Sequence, residues 1–595
     1  MQKAAIGILS SLTLLLLVGL AWSAEEKPPA PRASVTVEIQ GLEGELLDNA
    51  RAYLSLYQKR EDPRLSRLWI ERLHAKAAKE IERALQPFGY YNAQVHASLE
   101  QTGENRWLAR YRVTPGPQVK IRKLDIRWQG EGAEEPSLQK ALADFPLAPG
   151  DPLIHARYEK GKTALLELAD SLGYPDVEVK QGRILVDPGR NLADIRLIID
   201  TGPKYYLGEI RLHQEVLEPA FVRRYLSDVE PGDVYSQEKL LAIQKDLVEA
   251  GYFSLVDVNP RLAEAVDAHV PIDVTLEPAK RQMYSIGIGY DTDVGINLNA
   301  RWQHRRINRL GHKADAQLRL SPKNSFILGN YWIPIRDPRT TKLGFSILLE
   351  TENTDTGRRD TLDLEAGYYL LWHGWMSKLF VQFKYEKFEI AESQKETTTL
   401  LSIGGRAEKA AFEKGIYPRR GWALALDLRG SPGLISSTAY LRGWGRGRLL
   451  VPIAERGRLN LRGELGGAWV DDFTKYPNSL RFFAGGDNSV RGWNWKELGP
   501  KDHNGDVIGG KQVLVLSLEY DHRVAEQWVA AGFFDAGNAF DDELDKFYYG
   551  AGFGARWLSP VGAVRLDLAW PFNKDHDEPT RVGDIHIHFG FEVNL

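Results

Sequence analysis

The sequence predicts α+β repeats followed by an all-β region: three tandem small mixed domains, then a C-terminal transmembrane β-barrel of about 16 antiparallel strands. Two observations carry this. A helix–glycine–aromatic–strand pattern recurs three times between about Ser34 and Lys280. From about Gln282 to Leu595 the helical period is gone, and short segments alternate apolar with polar residues. An apolar leader adds the address.

The leader has one Lys, an apolar run from Ala4 to Leu20, and the small-residue end Ala21-Trp22-Ser23. It reads as a secretory signal peptide spanning 1–23. Cleavage after Ser23 is preferred, because a cut after Ala24 would place Trp22 at the third position back. A proline-containing linker, 24–33, follows. The chain has no cysteine, so disulfide frameworks and thiolate metal sites are excluded. No later stretch is long and apolar enough for a transmembrane helix. A net charge of −4 gives no global basic field for nucleic acid. A mean hydropathy of −0.35 suits strands that average polar with apolar positions.

In the first repeat, Ile81, Ala84, Leu85 and Phe88 share a helix face, and Gly89-Tyr90-Tyr91 leads to the strand Ala93–His96. The second has Leu165, Leu168 and Leu172, then Gly173-Tyr174 and Val177–Val179. The third has Leu240, Ile243 and Leu247, then Gly251-Tyr252-Phe253 and Leu255–Val258. Spacing of i, i+3, i+7 gives each helix a buried stripe, and each glycine is predicted to end its helix in the left-handed conformation. Leu147–Asp151 in the second repeat matches Val229–Asp233 in the third; the first lacks this mark. Each repeat thus reads as strand, helices, strand, strand. Exposed edges of such short sheets can accept another chain by strand addition.

In the C-terminal region Leu424, Leu426 and Leu428 alternate with Ala425, Asp427 and Arg429. Leu514, Leu516, Leu518 and Tyr520 do the same, as do Val564, Leu566, Leu568 and Trp570. A soluble sandwich would alternate similarly. Charges on the opposite face, and an aromatic girdle expected at Trp332, Trp372, Trp375, Trp444, Trp528 and Trp557, favour a barrel in lipid. The chain ends on an aromatic-rich strand in which Ile585, Ile587, Phe589, Phe591, Val593 and Leu595 share one face. Only a closed barrel satisfies strand backbones in lipid.

One stretch breaks the alternation, Arg481–Pro500. Gly485-Gly486 and Asp487-Asn488-Ser489 are turn formers, and Gly499-Pro500 closes the segment. At its centre stands Val490-Arg491-Gly492-Trp493. Two further motifs follow: Phe533-Phe534-Asp535-Ala536-Gly537, and Gly552–Gly562 with Arg556-Trp557 inside it.

With these motifs quoted, the repeats resemble polypeptide-transport-associated (POTRA) domains. The whole resembles the BamA/TamA superfamily of outer-membrane insertases, three repeats pointing to its TamA branch. The implied domains are POTRA 1 at 34–117, POTRA 2 at 118–203, POTRA 3 at 204–279 and the barrel at 280–595. The resemblance implies a lid loop folded into the lumen, Arg491 meeting the wall residue Asp535, Gly492 allowing the turn and Gly537 leaving room beside the aspartate. An Arg fork suits a carboxylate. It also implies unfolded outer-membrane protein clients, autotransporter-like, and a TamB-like inner-membrane-anchored partner docking through POTRA 1.

The first barrel strand includes Tyr284–Tyr290, whose lumen face is Ser and Gly only, a weak packing surface. A lateral gate is expected between it (Tyr284, Ile286, Gly287, Gly289) and the last strand (Phe589, Gly590, Phe591). No nucleophile motif, cofactor fingerprint or metal spacing is present in the sequence, so an enzyme is not expected. His586 and His588 are read as facing a wet lumen, and Asp541-Asp542-Glu543 as a solvated loop. A passive porin-like channel would explain the barrel but neither the repeats nor the lid motif. A two-partner-secretion transporter of a dedicated exoprotein is the alternative within the superfamily.

Overall fold

The structure, a computed structural model, describes residues 33–354, 357–390, 395–415, 417–503, 505–544, 546–559, 562–572 and 585–592. The expected signal peptide, its linker up to residue 32, the final residues Val593–Leu595 and the side chain of Phe591 lie outside the described residues. The chain forms two compact units: one holds the first two repeats, the other most of the third repeat with the barrel.

The first repeat runs β1 (Ser34–Gln40), α1 (Gly44–Tyr53), α2 (Ser55–Gln58), α3 (Arg67–Leu85), β2 (Gln94–Gly103) and β3 (Arg106–Thr114). Its sheet order is β1-β3-β2, with β1 parallel and β2 antiparallel to β3. The Ser66 hydroxyl caps α3 by accepting from the Trp69 amide. Ile70, Leu73, Ala77, Ile81, Ala84 and Leu85 form the helix's apolar stripe, packed on Leu54, Leu56 and Tyr111. Phe88 falls beyond α3, half-buried in a short turn.

The second repeat has β4 (Lys120–Gln129), α4 (Pro136–Ala143), α5 (His155–Ser171), β5 (Glu178–Asp187) and β6 (Leu192–Asp200), in sheet order β4-β6-β5. The third has β7 (Tyr206–His213), α6 (Pro219–Arg223), α7 (Gln237–Glu249), β8 (Phe253–Pro260) and β9 (His269–Pro278), in order β7-β9-β8. Gly89, Gly173 and Gly251 have φ of 87°, 96° and 69°, the left-handed conformation that ends a helix.

Sixteen strands in one antiparallel sheet follow. They begin β10 (Gln282–Asp291), β11 (Gly295–His304), β12 (Lys313–Leu320), β13 (Asn324–Pro334) and β14 (Thr341–Thr354). The long middle comprises β15 (Gly357–Trp372), β16 (Trp375–Ile390), β17 (Glu396–Phe412), β18 (Gly421–Ser431), β19 (Tyr440–Ile453) and β20 (Gly457–Val470). After the loop 471–511 come β21 (Gln512–Ala525), β22 (Trp528–Phe540), β23 (Tyr548–Ser559), β24 (Gly562–Phe572) and β25 (His586–Glu592). Each strand pairs with its neighbour in sequence.

Register assigns the faces. Leu362 and Leu364 of β15 oppose Tyr385 and Phe383 of β16, while Asp363 opposes Lys384 between them. The first set points to lipid; the second meets in the lumen, with Lys384 Nζ 2.9 Å from Asp363 Oδ2. Trp372, Trp375, Trp528 and Trp557 stand on the outer face, as a girdle requires. Trp332 and Trp444 do not. Their indole N–H groups donate inward to Asp315 (2.7 Å) and Glu464 (2.8 Å), because a lumen carboxylate supplies the partner that hydrocarbon lacks.

Within the second unit the third repeat meets two barrel turns. Tyr252 Oη donates to Gly311 O at 2.6 Å, the Glu218 amide to Arg309 O at 2.8 Å, and Arg339 lies 3.2 Å from Asp246. Those turns therefore mark the rim that faces the third repeat.

Candidate functional site

The loop 471–511 enters the barrel as a folded finger. Phe482 pairs with Gly510 and Ala484 with Leu498 through backbone hydrogen bonds of 2.8–3.0 Å. Phe482, Val490, Trp493 and Leu498 pack against Val513, Val515 and Ala539 of the wall. Burying these apolar side chains holds the loop in; the polar groups decide where it stops.

Arg491 is the stop. It is fully buried, 0% exposed, as is Asp535 on β22. Arg491 Nε and Nη2 donate to the two Asp535 oxygens at 2.7 and 2.9 Å, a bidentate fork, and the Arg491 amide adds a third bond at 3.2 Å. Nη1 turns to Glu519 on β21 at 2.5 Å and to Asp567 on β24 at 3.2 Å. The guanidinium lies 3.5 Å over the Phe533 ring. Arg556 on β23 shares Glu519 (3.2 Å) and Asp567, and Arg462 on β20 stands 4.0 Å from Asp535. Arg565 on β24 adds a fourth guanidinium, 3.6 Å from Asp567 and 3.9 Å from Asp487. Four guanidiniums therefore balance four carboxylates, which is how charges survive burial.

Two glycines make the approach possible. Gly492 has φ 91°, and a Cβ there would sit 2.9 Å from the Trp570–Pro571 backbone. Gly550, opposite Asp535 in register, is closer still: a Cβ would lie 1.7 Å from Arg491 O. Gly537 has another role than the one expected. Its open side faces Leu514 O at 2.7 Å on β21, so it admits the neighbouring strand and not the loop.

Trp493 Nε1 donates to Tyr549 O at 3.1 Å. The Gly492 amide donates to His588 Nε2 at 2.9 Å, and His588 Nδ1 bonds Asp487. With Nε2 accepting, His588 is the neutral Nδ1–H tautomer. It is buried, not facing a wet lumen. Lys496 bonds Glu352 on the opposite wall, so the loop braces the lumen from two sides. A cavity of about 930 Å³ remains beside it, with Arg446, Arg448, Arg565 and Asp293 in its lining.

The seam is different in kind. Among the described residues no ladder joins β10 to β25. Tyr284, Ile286 and Ile288 project outward with Ile286 79% exposed, and nothing lies within 4 Å of where a Gly287 Cβ would be. Gly289 lies against the Asn297 side chain on β11. Contact is made near the far end of β10. Thr292 Oγ1 sits 3.0 Å from Phe589 N, 3.3 Å from Phe589 O and 3.2 Å from Asp487. The Tyr290 and Phe589 rings are 6.2 Å apart. Gly590 leaves its lumen side to the Arg565 guanidinium.

The family resemblance placed Arg491 against Asp535; Glu519, Asp567 and Gly550 were not singled out, and Arg556, His588 and Asp487 were named without these contacts. The motif Gly-x-Gly-x-Arg carried a signal for Arg556 and its neighbours. Glu519 and Asp567 appeared only as polar members of alternating strands.

Fold and site together define an outer-membrane β-barrel with periplasmic POTRA domains, its lumen occupied by an inward loop. The Omp85 superfamily domain matches residues 283–593, and POTRA domain TamA domain 1 matches residues 36–115. The chain belongs to the Omp85 superfamily and carries a TamA-type first POTRA domain. It is 21% identical over 536 residues to the outer membrane protein assembly factor BamA of Nitratidesulfovibrio vulgaris, covering 84% of this chain and 66% of that one. It is 23% identical over 589 residues to BamA of Neisseria meningitidis serogroup B, covering 84% and 71%. The chain thus spans about two thirds of these relatives' length. The crystal structure of BamA from Haemophilus ducreyi lacking POTRA domains 1–3 superposes with a TM-score of 0.66 at 16% identity, covering 79% of this chain and 99% of that one. That likeness is one of fold.

Proposed function

We propose that this protein inserts client β-barrel proteins of the autotransporter type into the outer membrane. Clients leave through a lateral gate between β10 and β25. The POTRA domains receive unfolded outer-membrane proteins, and POTRA 1 docks a TamB-like inner-membrane-anchored partner. The observation that carries this reading is the seam: β10 offers a free edge to lipid while every other neighbouring pair is laddered. An unpaired backbone group in hydrocarbon costs several kcal/mol, whereas a ladder bond contributes only about 1 kcal/mol net. A strand edge in that position is stabilised by any incoming strand. The lid loop, fixed through Arg491 to β22 and through Asp487 to β25, keeps the wall in place while the seam is exchanged.

The chain lacks cysteine, so a single engineered pair is specific. Tyr290→Cys with Phe589→Cys, oxidised in proteoliposomes, should stop insertion of an autotransporter barrel while the protein itself stays folded, and reductant should restore it. Undiminished insertion by the crosslinked form overturns the gate.

A further inference from the structure

Where the chain leaves the third repeat and enters β10, four cations gather on the periplasmic rim. Lys280 and Arg281 precede β10; Arg305 and Arg306 follow β11. The Arg305 amide donates to Arg281 O at 2.8 Å, which extends the β10–β11 ladder outward and sets the two pairs across from each other. None of the four has a carboxylate partner among the described residues. Two other arginines of this rim do have carboxylates: Arg309 has Glu218 at 3.0 Å, and Arg339 has Asp337 at 2.8 Å and Asp246 at 3.2 Å.

Arg306 is the telling member. It is only 8% exposed, and its Nη1 is buried with no hydrogen-bond partner. Burial, then the neighbouring Arg281, push its pKa below the ordinary guanidinium value. A buried guanidinium beside a second one, with no anion, is unfavourable in isolation. Arg305 has only a sulfur contact, Nη2 to Met283 Sδ at 3.3 Å.

The surroundings say what kind of anion fits. Met283, Tyr284, Ile307 and Leu310 are exposed around the cluster. Trp302 Nε1 donates to Gln282 Oε1 at 3.2 Å, and Tyr284 bonds the same Gln282, an amphipathic belt at headgroup height. Phosphate prefers arginine forks, and apolar chains prefer the outer face of β10. We infer that Lys280, Arg281, Arg305 and Arg306 bind the phosphate of an anionic phospholipid of the periplasmic leaflet, whose chains lie along Tyr284 and Ile286. The lipid occupies the foot of β10, one of the two strands that lack a second ladder partner at the seam. This inference concerns lipid binding alone and stands whether or not the seam admits clients.

Full-length protein in mixed micelles is titrated with phosphatidylglycerol and, separately, phosphatidylcholine, and retained lipid is counted by native mass spectrometry. Phosphatidylglycerol should be preferred. The variant Arg281→Gln/Arg306→Gln should lose that preference by roughly tenfold or more, whereas Arg306→Lys should keep most of it. Barrel folding of each variant is checked by heat-dependent gel mobility. Should the double variant fail to fold, Lys280→Gln/Arg281→Gln, both exposed, gives the same readout. Equal retention of the two lipids by the wild type, or an unchanged preference in the neutral variants, overturns the inference. So does displacement of phosphatidylglycerol by millimolar inorganic phosphate, which would mark a free-anion site.

Discussion

In the first repeat the side chains sealed from solvent are apolar or aromatic, Tyr111, Leu54, Ile70, Ile81 and Leu85 among them; in the barrel they include the charged groups Arg491, Asp535, Asp567 and Glu386 beside apolar ones such as Leu400 and Val490. The outer faces invert in the same way. Arg67 and Glu71 of α3 stand in water, whereas Leu426 and Leu428 of β18 stand in lipid. One rule covers both: each unit turns outward what its solvent accepts. The lesson is that burial has two different costs. A repeat loses apolar contacts when its core is cut, but the barrel lumen leaves a charge unmet.

Four perturbations and one control test that contrast, from the largest effect down. Arg491→Ala removes one charge from a balanced cluster of eight. It should cost about 3–5 kcal/mol of loop docking, read as protease cleavage within 481–500 and a larger single-channel conductance. Arg491→Lys should recover part of it, having charge without the fork. Ile81→Ala opens a dry cavity in the first repeat and should cost about 2–5 kcal/mol, read as faster hydrogen exchange over 67–114 with the barrel unaffected. Leu426→Arg on the lipid face should cost about 2–4 kcal/mol of folding into vesicles, while the same cation on the lumen face, as at Arg429 beside Asp427, is native.

The fourth test is pH. His74 bonds Tyr111 at 2.9 Å, and burial lowers its pKa below 6.5. The folded repeat therefore prefers the neutral ring. Stability is full above about pH 6.5 and falls as pH drops through the lowered folded value. Urea unfolding of the repeat should show this slope, and His74→Gln should flatten it. As a control, Glu71→Ala breaks only an exposed i,i+4 pair and should stay within about 0.5 kcal/mol. A large effect there would undo the division between the two kinds of burial.

Much of the fold was legible because alternation and helical stripes are local. Leu424-Leu426-Leu428 against Asp427-Arg429 assigns both faces of β18 without reference to any other strand. Trp332 and Trp444 were misread because both faces of a strand end can hold tryptophan. Which face wins depends on whether Asp315 or Glu464 waits across the ladder, a matter of register. His588 was misread because its partners, Asp487 and Gly492, lie about a hundred residues away in a loop whose path no periodicity encodes.

From the sequence alone came the three repeats, about sixteen strands and the faces of most of them, since each rests on short-range spacing; the Arg491–Asp535 pair came from the family resemblance of two separate motifs. Tertiary structure alone decided that Arg491 also meets Glu519 and Asp567, that Gly550 yields the space, and that β10 and β25 meet without a ladder. The physical reason is that charge balance and sheet closure are sums over strands distant in the chain, settled only when the barrel wraps around its own loop.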